Sequence, residues 1–406
     1  MRKPPLSLVL ALSAVGMGCR HTQPPPPTDQ NQPIPAQSFQ RQWEADLALK
    51  DDSVDRLFVR DDLVFVYTQS HKAYVLSRSG GQVLNIDAVA GATIDLFPPV
   101  VLGDKVVYPT NTTLEVYDNH GVHQRTINTD NAIRTPAVGN KNVVFFGSEY
   151  PGGGRLIAMD ITRLSTIPIW QVMTPGGALS AAPALYQGVL YAGTHDGKIY
   201  AVSEDRTAIW PLEGGVFLTA GKIVADVKAD QDGVYFASTD SKLYCVDRMT
   251  GKVKWQYFSG RPLTASPQVT ADTVYQSVPD VGVVAIDKTK SKFPQYGQGD
   301  NRDAKWIASD AVEFLAADEK FAYMRTRDNR ITAFDKQSGK QVFQSQRTDL
   351  DLFTQNPDKD GLIYAATKNG KIFAIKPSVT GGGVGELVLA NPTLRMLAMA
   401  DRSDWR

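Results

Sequence analysis

The chain has 406 residues, of which 42% are hydrophobic, enough apolar material for a folded core to exclude a wholly disordered protein. Its 43 Lys and Arg residues balance its 43 Asp and Glu residues. Because no net charge attracts an anionic polymer, we expect no nucleic acid among its partners.

Residues 1–18 have the features of a bacterial export signal. Arg2 and Lys3 precede an apolar run from Leu6 to Val15, and small residues follow it. A helix of that length spans about 15 Å, half of a bilayer's hydrocarbon core, so we do not expect it to cross the membrane. Cys19, directly after the small residues, resembles the lipidated cysteine of bacterial lipoproteins. We expect cleavage before Cys19 and lipid attachment to it; simple secretion or an uncleaved anchor are the alternatives.

The segment after the predicted cleavage site, residues 19–38, is predicted to be a linker. Residues 19–38 contain the anchor cysteine and a proline-rich stretch that includes Pro24 to Pro27. Such a composition cannot bury apolar surface and predicts an extended linker. We assign 39–390 to the folded domain and 391–406 to a C-terminal tail. The other cysteine, Cys245, lies in an apolar alternation and is predicted to be a small buried residue.

One pattern recurs along the folded domain. An aromatic residue in a β-rich couplet is followed by a polar turn, an alternating apolar strand, often an Asp, and then a Gly turn. The copies lie about 43 residues apart on average, which is the spacing of a repeat architecture. Their eight aromatic anchors are Phe65, Tyr108, Phe145, Tyr191, Tyr235, Tyr275, Tyr323 and Tyr364.

Each copy predicts four antiparallel strands. In one copy we place them at Leu179 to Leu185, Gly188 to Thr194, Lys198 to Ser203 and the segment that ends at Trp210. Asp-Gly and Asn-Gly pairs suit the tight hairpins. Small sheets that repeat can bury both faces by stacking radially, so we predict an all-β, eight-bladed β-propeller of four-stranded antiparallel blades. Either chain end could close the ring, through Gln40 to Leu47 or through Gly385 to Ala390.

The residues Gly197-Lys198-Ile199-Tyr200-Ala201-Val202 and Asp247 to Trp255 resemble the PQQ-type repeat. Eight such units characterise the quinoprotein dehydrogenases and the lipid-anchored propeller of the bacterial outer-membrane β-barrel assembly machinery. The dehydrogenases hold their cofactor with an adjacent Cys-Cys pair, which this chain lacks. The second resemblance therefore implies a monomeric, non-enzymatic scaffold that is lipid-anchored in the outer membrane, faces the periplasm and binds a protein of the assembly complex.

The repeat tryptophan is present at Trp170, Trp210 and Trp255, with a relative at Trp43, and is replaced by Asn85 in the first copy and Phe343 in the seventh. We expect these side chains to dock each blade on the next. The recurrent aspartates are interpreted as turn caps, because a catalytic residue need occur only once. They are Asp160, Asp247, Asp287 and Asp335.

Chemistry-bearing motifs are sparse. His120 and His123 have no further ligand at metal-binding spacing, and no phosphate cradle or nucleophile elbow is readable. We therefore predict no catalytic residue, no metal and no cofactor.

Departures from the repeat are better candidates for partner binding. Lys290 to Asp310 lengthens the connection from blade six to blade seven and carries Phe293, Tyr296 and Trp306. The resemblance adds Asp226, which matches an acidic contact position, whereas Pro175 to Ala178 replaces the family's Leu-x-Leu-Arg contact motif. A glycan- or quinone-binding sensor is the alternative function, and a divergent quinoprotein-type enzyme ranks last.

Overall fold

The computed structural model describes residues 39–89, 95–163, 165–210, 217–289 and 300–378, in which every regular element is a β-strand. Contacts divide the chain into Met1–Pro35 and Ala36–Arg406, and all described residues belong to the second unit. The strands form eight sheets, each built on four antiparallel strands, and the sheets of blades 4 and 5 each carry a short fifth strand. The predicted eight-bladed β-propeller is confirmed.

Strands are numbered along the chain and assigned to blades by their pairing. The first half comprises β1 (Phe39–Asp46) of blade 8; β2 (Val54–Arg60), β3 (Leu63–Thr68), β4 (Lys72–Ser77) and β5 (Val83–Ala88) of blade 1; β6 (Val100–Leu102), β7 (Lys105–Pro109), β8 (Thr113–Asp118) and β9 (His123–Asn128) of blade 2; β10 (Val138–Asn140), β11 (Val143–Tyr150), β12 (Gly153–Asp160) and β13 (Trp170–Pro175) of blade 3; and β14 (Ala184–Tyr186), β15 (Val189–Gly193), β16 (Lys198–Ser203), β17 (Ala208–Trp210) and β18 (Phe217–Leu218) of blade 4.

The second half follows the same order, with one strand from the sixth copy returning to blade 5. It comprises β19 (Lys228–Ala229), β20 (Val234–Ser238), β21 (Lys242–Val246) and β22 (Val253–Phe258) of blade 5; β23 (Gln268–Val269), β24 (Thr273–Val278) and β25 (Gly282–Asp287) of blade 6; β26 (Asp300–Arg302), which joins blade 5; β27 (Trp306–Ala308), which completes blade 6; β28 (Ala311–Ala317), β29 (Phe321–Thr326), β30 (Ile331–Asp335) and β31 (Gln341–Gln344) of blade 7; and β32 (Leu352–Thr354), β33 (Ile363–Ala366) and β34 (Lys371–Pro377) of blade 8.

The core lies between neighbouring blades, where the aromatic anchors of the repeat are packed. All eight anchors fall on the second strand of their blade, and each is at most 1% exposed. A strand buried on both faces reads as a continuous apolar run, which is why these couplets stood out in the sequence. The hydrophobic clusters span adjacent blades, as one that joins Tyr235 of blade 5 to Ile286 of blade 6 shows. The Cys245 thiol lies in the same cluster, as predicted.

The N-terminal strand closes the ring. β1 pairs with β34 from Phe39 opposite Pro377 to Asp46 opposite Lys371, which makes it the outermost strand of blade 8. The predicted Gln40 to Leu47 strand is therefore confirmed in this position. The competing segment, Gly385 to Ala390, lies outside the described residues.

In several blades, one side chain of the outermost strand docks on the next blade. The indole Nε1–H groups of Trp43, Trp170 and Trp210 each donate to a backbone carbonyl of the following blade at 2.7 Å. Trp306 makes the same bond to the Lys336 carbonyl at 3.0 Å. Two blades have another residue in place of the tryptophan. Phe343 packs edge-on against Phe39 of the next blade, with ring centroids 5.8 Å apart. Asn85 instead forms a hydrogen bond to Asp87 of its own blade.

Three sequence-based boundaries need correction. The predicted inner strand Leu179 to Leu185 is only Ala184–Tyr186, because Pro183 has no N–H to contribute to a ladder. The lengthened stretch Lys290 to Asp310 contains β26, which pairs with blade 5, and β27, the last strand of blade 6, so it is not the connection from blade six to blade seven. Trp306 is the docking tryptophan of the sixth copy and not a loop residue. The sequence pattern did not show this, because the distance from Asp287 to Trp306 is longer than in the other copies.

The repeat aspartates cap the turn before each outer strand, as predicted. Asp335 Oδ1 accepts hydrogen bonds from the backbone N–H groups of Gln337 and Ser338 and from the Ser338 hydroxyl. These bonds hold the pKa of Asp335 below its ordinary value. Burial by itself would raise the pKa of Asp160 and of Asp247, but hydrogen bonds from the threonine of each turn outweigh it and lower both values.

These caps predict acid sensitivity. A carboxylate with a depressed folded pKa stabilises the fold above its unfolded pKa of about 3.9, and that contribution is lost as the pH falls through the folded value. We expect the triple variant Asp160→Asn, Asp247→Asn, Asp335→Asn to flatten the fall of the unfolding free energy between about pH 5 and pH 3. Urea unfolding at several pH values measures this slope. An unchanged slope would contradict the assignment.

Candidate functional site

A cavity of about 960 Å³ opens at one end of the central channel. It is formed where the innermost strands of several blades end and turn outward, among them β2, β19, β23 and β32. Antiparallel pairing places Phe39 at this same end of blade 8, because it faces Pro377 at the end of β34. We call this the channel mouth. Its lining is Leu57–Asp61, Arg78, Pro98, Tyr186, Asp226, Lys228–Gln231, Gln268–Ala271, Lys288, Glu313 and Phe353–Lys359.

Half of the charged residues of the channel mouth belong to ion pairs. Lys288, whose side chain is only 2% exposed, donates to Asp230 at 2.5 Å and lies 3.0 Å from Asp232. Arg78 contacts Asp358 at 2.7 Å, and Glu313 contacts Arg325 at 3.0 Å. Such partially buried pairs are rigid and satisfied, so they shape the wall of the cavity.

Three cations of the channel mouth, Arg60, Lys228 and the exposed Lys359, have no ion pair in the part of the chain that the structure describes. Arg60 ends β2 of blade 1, and Lys228 begins β19 of blade 5, which is four blades away around the ring. Burial lowers the pKa of Lys228, Asp226 raises it, and Arg60 lowers it again. Arg60 is exposed to the channel; the protein atoms around it lower its pKa, while Tyr67, Asp226 and Asp61 raise it. Arg60, Asp226 and Lys228 therefore influence one another across the channel.

A set of cations fastens neighbouring blades together near this face. In blades 1, 6, 7 and 8, a cation directly after the repeat aspartate, or at the equivalent position, reaches back to an acid of the preceding blade. Lys336 contacts Asp272 at 3.0 Å, and Lys376 contacts Asp318 at 2.9 Å. We call these contacts latches, and their members are Arg78 with Asp358 and Asp360, Lys288 with Asp230 and Asp232, Lys336 with Asp272, and Lys376 with Asp318.

Sequence reasoning missed the latches, although it had a signal for them. The dipeptides Asp287-Lys288 and Asp335-Lys336 repeat a basic residue after the capping aspartate. The acidic partner lies in the turn between the first two strands of the preceding blade, about sixty residues earlier, as in the Lys288 and Asp230 pair. A one-dimensional pattern does not reveal which acid faces which base.

The predicted contact residues are dispersed. Asp226 lines the channel mouth, and its Oδ1 accepts the Ala182 N–H at 3.0 Å. Trp306 is 8% exposed and stacks on Phe334 with centroids 5.6 Å apart, so its indole is occupied in joining blades 6 and 7. Phe293, Tyr296 and the lipidation residue Cys19 lie outside the described residues.

Two searches of the described residues bear on other kinds of site. No group of three or more His, Cys, Asp or Glu side chains there is placed to hold a metal ion. Those residues also contain no helix of the length and apolarity needed to cross a membrane.

Comparison with known proteins gives one family and one curated relative. Residues 204–293, which run from the end of blade 4 into the sixth copy, match the family model described as outer membrane protein assembly factor BamB. The outer membrane protein assembly factor BamB of Nitrosomonas eutropha is 28% identical over 139 residues, or 33% of this chain. The matched segment spans 32% of that relative's length.

Solved structures extend the likeness in fold to most of the chain. BamB from Moraxella catarrhalis matches with a TM-score of 0.60 at 16% identity, covering 85% of this chain and 100% of that one. The computationally designed Ika8 protein also reaches a TM-score of 0.60 at 16% identity, covering 83% of this chain and 99% of its own. Likeness at this identity shows the fold alone. Taken with the repeats, these matches confirm that the chain is a PQQ-like-repeat β-propeller similar to the outer-membrane assembly factor BamB.

Proposed function

We propose that this protein is a non-enzymatic, lipid-anchored propeller scaffold that binds protein at the periplasmic face of the outer membrane, in outer-membrane protein assembly. The observation that carries the proposal is the match of residues 204–293 to an assembly-factor family, set in a ring whose other blades repeat the same unit. A closed ring of latched blades is rigid. Loops that a scaffold of packed strands holds at one face are where binding residues concentrate.

The anchor is part of the proposal. The signal at 1–18, Cys19 and the linker 19–38 would place the domain in the cell envelope. We expect Cys19→Ala to move the protein from the membrane fraction to the soluble periplasmic fraction, because the lipid attachment is lost. Cell fractionation with immunodetection measures this. A Cys245→Ala variant is the control, and it should stay with the membrane; continued membrane attachment of Cys19→Ala would contradict the lipidation.

The channel-mouth face is the surface that we propose for the protein partner. Asp226 lies there, and Val122 and Met249, 55% and 59% exposed, occupy turns that precede outer strands. Those turns lie at the same end of the blades as the channel mouth, because strand direction alternates within each blade. Exposed apolar side chains near charged ones are typical of binding surfaces. Phe293, Tyr296 and Trp306 stay candidates from the sequence alone, and the buried Trp306 is the weakest of them.

Affinity capture of the full chain from detergent-solubilised membranes tests the partner. We expect a subunit of the barrel-assembly machinery to be recovered and identified by mass spectrometry. Asp226→Asn retains an acceptor oxygen for the Ala182 N–H but removes the charge, so it should reduce recovery while the fold is kept. Met249→Ser tests the apolar part of the same face. Recovery of no assembly subunit by the unaltered chain would overturn the proposal.

A further inference from the structure

The outermost strand of blade 1 exposes more large hydrophobic side chains than any other outer strand of the described residues. Val83, Leu84 and Ile86 on β5 are 43%, 53% and 52% exposed, whereas every other described outer strand exposes at most one such side chain. The acid of β5, Asp87, is buried, and the strand has no lysine, arginine or proline. Sheet edges are normally protected by such residues. We call Val83, Leu84 and Ile86 the rim patch.

The rim patch continues a hydrophobic core outward. Ile86 lies opposite Tyr74 of β4, and directly opposed residues of an antiparallel pair share a face of the sheet. Val83 lies opposite Leu76 in the same pairing. Tyr74 and Leu76 belong to the hydrophobic cluster that joins blade 1 to blade 8. The rim patch therefore lies on the side of blade 1 that faces blade 8, farther from the channel than that cluster.

The backbone edge of β5 is open among the described residues. β5 pairs with β4 on one side, and no described strand pairs with its other side. Blade 5 shows that an edge of this ring accepts a further strand, because β26 pairs in parallel with the outermost strand β22. The open edge of blade 1 and its apolar side chains are therefore suited to one more strand of apolar sequence.

Both ends of the folded chain leave blade 8 close to this edge. Trp43 of β1 lies opposite Ala374 of β34, and its ring lies over Gly81, two residues before β5. One strand spacing and one sheet spacing therefore separate β34 from β5, roughly 15 Å together. Residues 379–386 can span about 26–29 Å when extended, and the three glycines at 381–383 allow the chain to turn.

Composition distinguishes the two chain ends. Residues 19–38 are polar and rich in proline, which cannot donate to a strand ladder. Residues 386–390 read Glu-Leu-Val-Leu-Ala, an apolar run without proline. Because β34 ends and β5 begins at the channel-mouth end of the blades, a segment that follows β34 reaches β5 at its start. It would then run in the direction of β5 and pair in parallel, as β26 does with β22.

We propose that residues 387–390 of this chain dock as a parallel strand on the open edge of β5, with Leu387 beside Leu84 and Leu389 beside Ile86. The segment covers the rim patch and connects blade 8 to blade 1 a second time, outside the contact that Trp43 makes. This contact lies at the rim of the ring and not at the cavity. It is independent of the proposed scaffold function, and either can fail without the other.

Hydrogen exchange of the full chain tests the docking. The double variant Leu387→Asp, Leu389→Asp places two charges against the rim patch, so the amides of β5 should exchange at least tenfold faster than in the unaltered chain. Leu394→Asp, Leu397→Asp makes the same change of charge farther along the chain and should leave β5 unchanged. Exchange of β5 that is the same in both double variants, whether fast or slow, would overturn the proposal. Protection of β5 that rises with protein concentration would show that a second copy covers the edge, and would also overturn it.

Cysteine crosslinking locates the docked segment. The background carries Cys19→Ala and Cys245→Ala, so that only the introduced thiols react. In it, Ile86→Cys should form a disulfide with Leu389→Cys at least tenfold faster than with Val388→Cys, because successive side chains of a strand point to opposite faces. Equal rates for the two pairs, or disulfides that form only between chains, would contradict the docking.

Discussion

Gly81→Ala is expected to lower the free energy of unfolding by about 3 kcal/mol. Gly81 has φ of 69°, and a Cβ built there would lie 2.4 Å from Cε3 of Trp43. A side chain at positive φ costs about 1 kcal/mol, and overpacking adds about 2 kcal/mol. The cost falls on the contact that closes the ring, because Trp43 belongs to the N-terminal strand of blade 8 and Gly81 to blade 1. Urea unfolding followed by tryptophan fluorescence measures the change.

Gly103→Ala is the matched control for this experiment. Gly103 has φ of 63°, but no atom lies within 4 Å of a Cβ built there. Its substitution should therefore cost only the backbone part, about 1 kcal/mol. If the two variants lose equal stability, the indole does not need the space over Gly81, and the docking interpretation fails.

Arg78→Ala is expected to destabilise the protein by about 3 kcal/mol, because it opens the latch between blades 8 and 1. The Arg78 side chain is 18% exposed and contacts Asp358 at 2.7 Å and Asp360 at 2.9 Å. Its Nε–H also donates to the Tyr364 hydroxyl at 2.9 Å. Burial alone would lower the pKa of Arg78, but these partners raise it. Removal of the guanidinium takes the counter-ion from Asp358 and Asp360 and leaves the buried Tyr364 hydroxyl without this donor.

Two variants make this prediction specific. Arg78→Lys keeps the charge and imitates the latches of Lys288, Lys336 and Lys376, so it should cost about 1 kcal/mol. Arg163→Ala removes an exposed ion pair with Asp160 and should cost at most about 1 kcal/mol. Hydrogen exchange adds a local readout, since the amides of β1 and β34 should exchange faster in Arg78→Ala. Exchange that rises uniformly over all blades would contradict a role in closure.

The Trp43 bond and the Arg78 latch act on the same residue. The Trp43 indole donates to the backbone carbonyl of Arg78, while the Arg78 side chain holds the acids of blade 8. In the same way, the Lys336 carbonyl accepts from Trp306, and the Lys336 ammonium reaches Asp272. Because both contacts share residues, the effects of Gly81→Ala and Arg78→Ala should not be additive. A double variant measures the coupling.

The repeat allowed most of the fold to be predicted from the amino-acid sequence. A period of about 43 residues, with an aromatic residue in the second strand of each copy, indicates eight similar sheets. Small sheets with two apolar faces bury both by stacking around a ring. The spare strand with Trp43 was recognisable because its tryptophan matched the outer-strand position of other copies. Local turn chemistry identified the capping aspartates, because their bonds join residues two or three positions apart.

The insertion in the sixth copy shows where such reasoning fails. The repeat spacing is broken in this copy, so the sequence pattern predicts loop positions for Phe293, Tyr296 and Trp306. Trp306 in fact lies on β27 and is buried against Phe334, and β26 pairs in parallel with β22 of the neighbouring blade. A shift in spacing hides a structural residue, because burial depends on the strand that a residue finally joins.

The amino-acid sequence by itself determined the repeat, the blade number and the turn caps, because each depends on local spacing or on comparison of like copies. It left two candidates for the strand that closes the ring, and the pairing of β1 with β34 decided between them. Only the tertiary structure decided which charges meet. Arg78 and Asp358 are 280 positions apart, and Arg60 faces Lys228 only because an eight-membered ring places blades 1 and 5 opposite each other. Closure of the ring brings residues that are distant in the sequence into contact. The channel mouth forms only when the ring is closed.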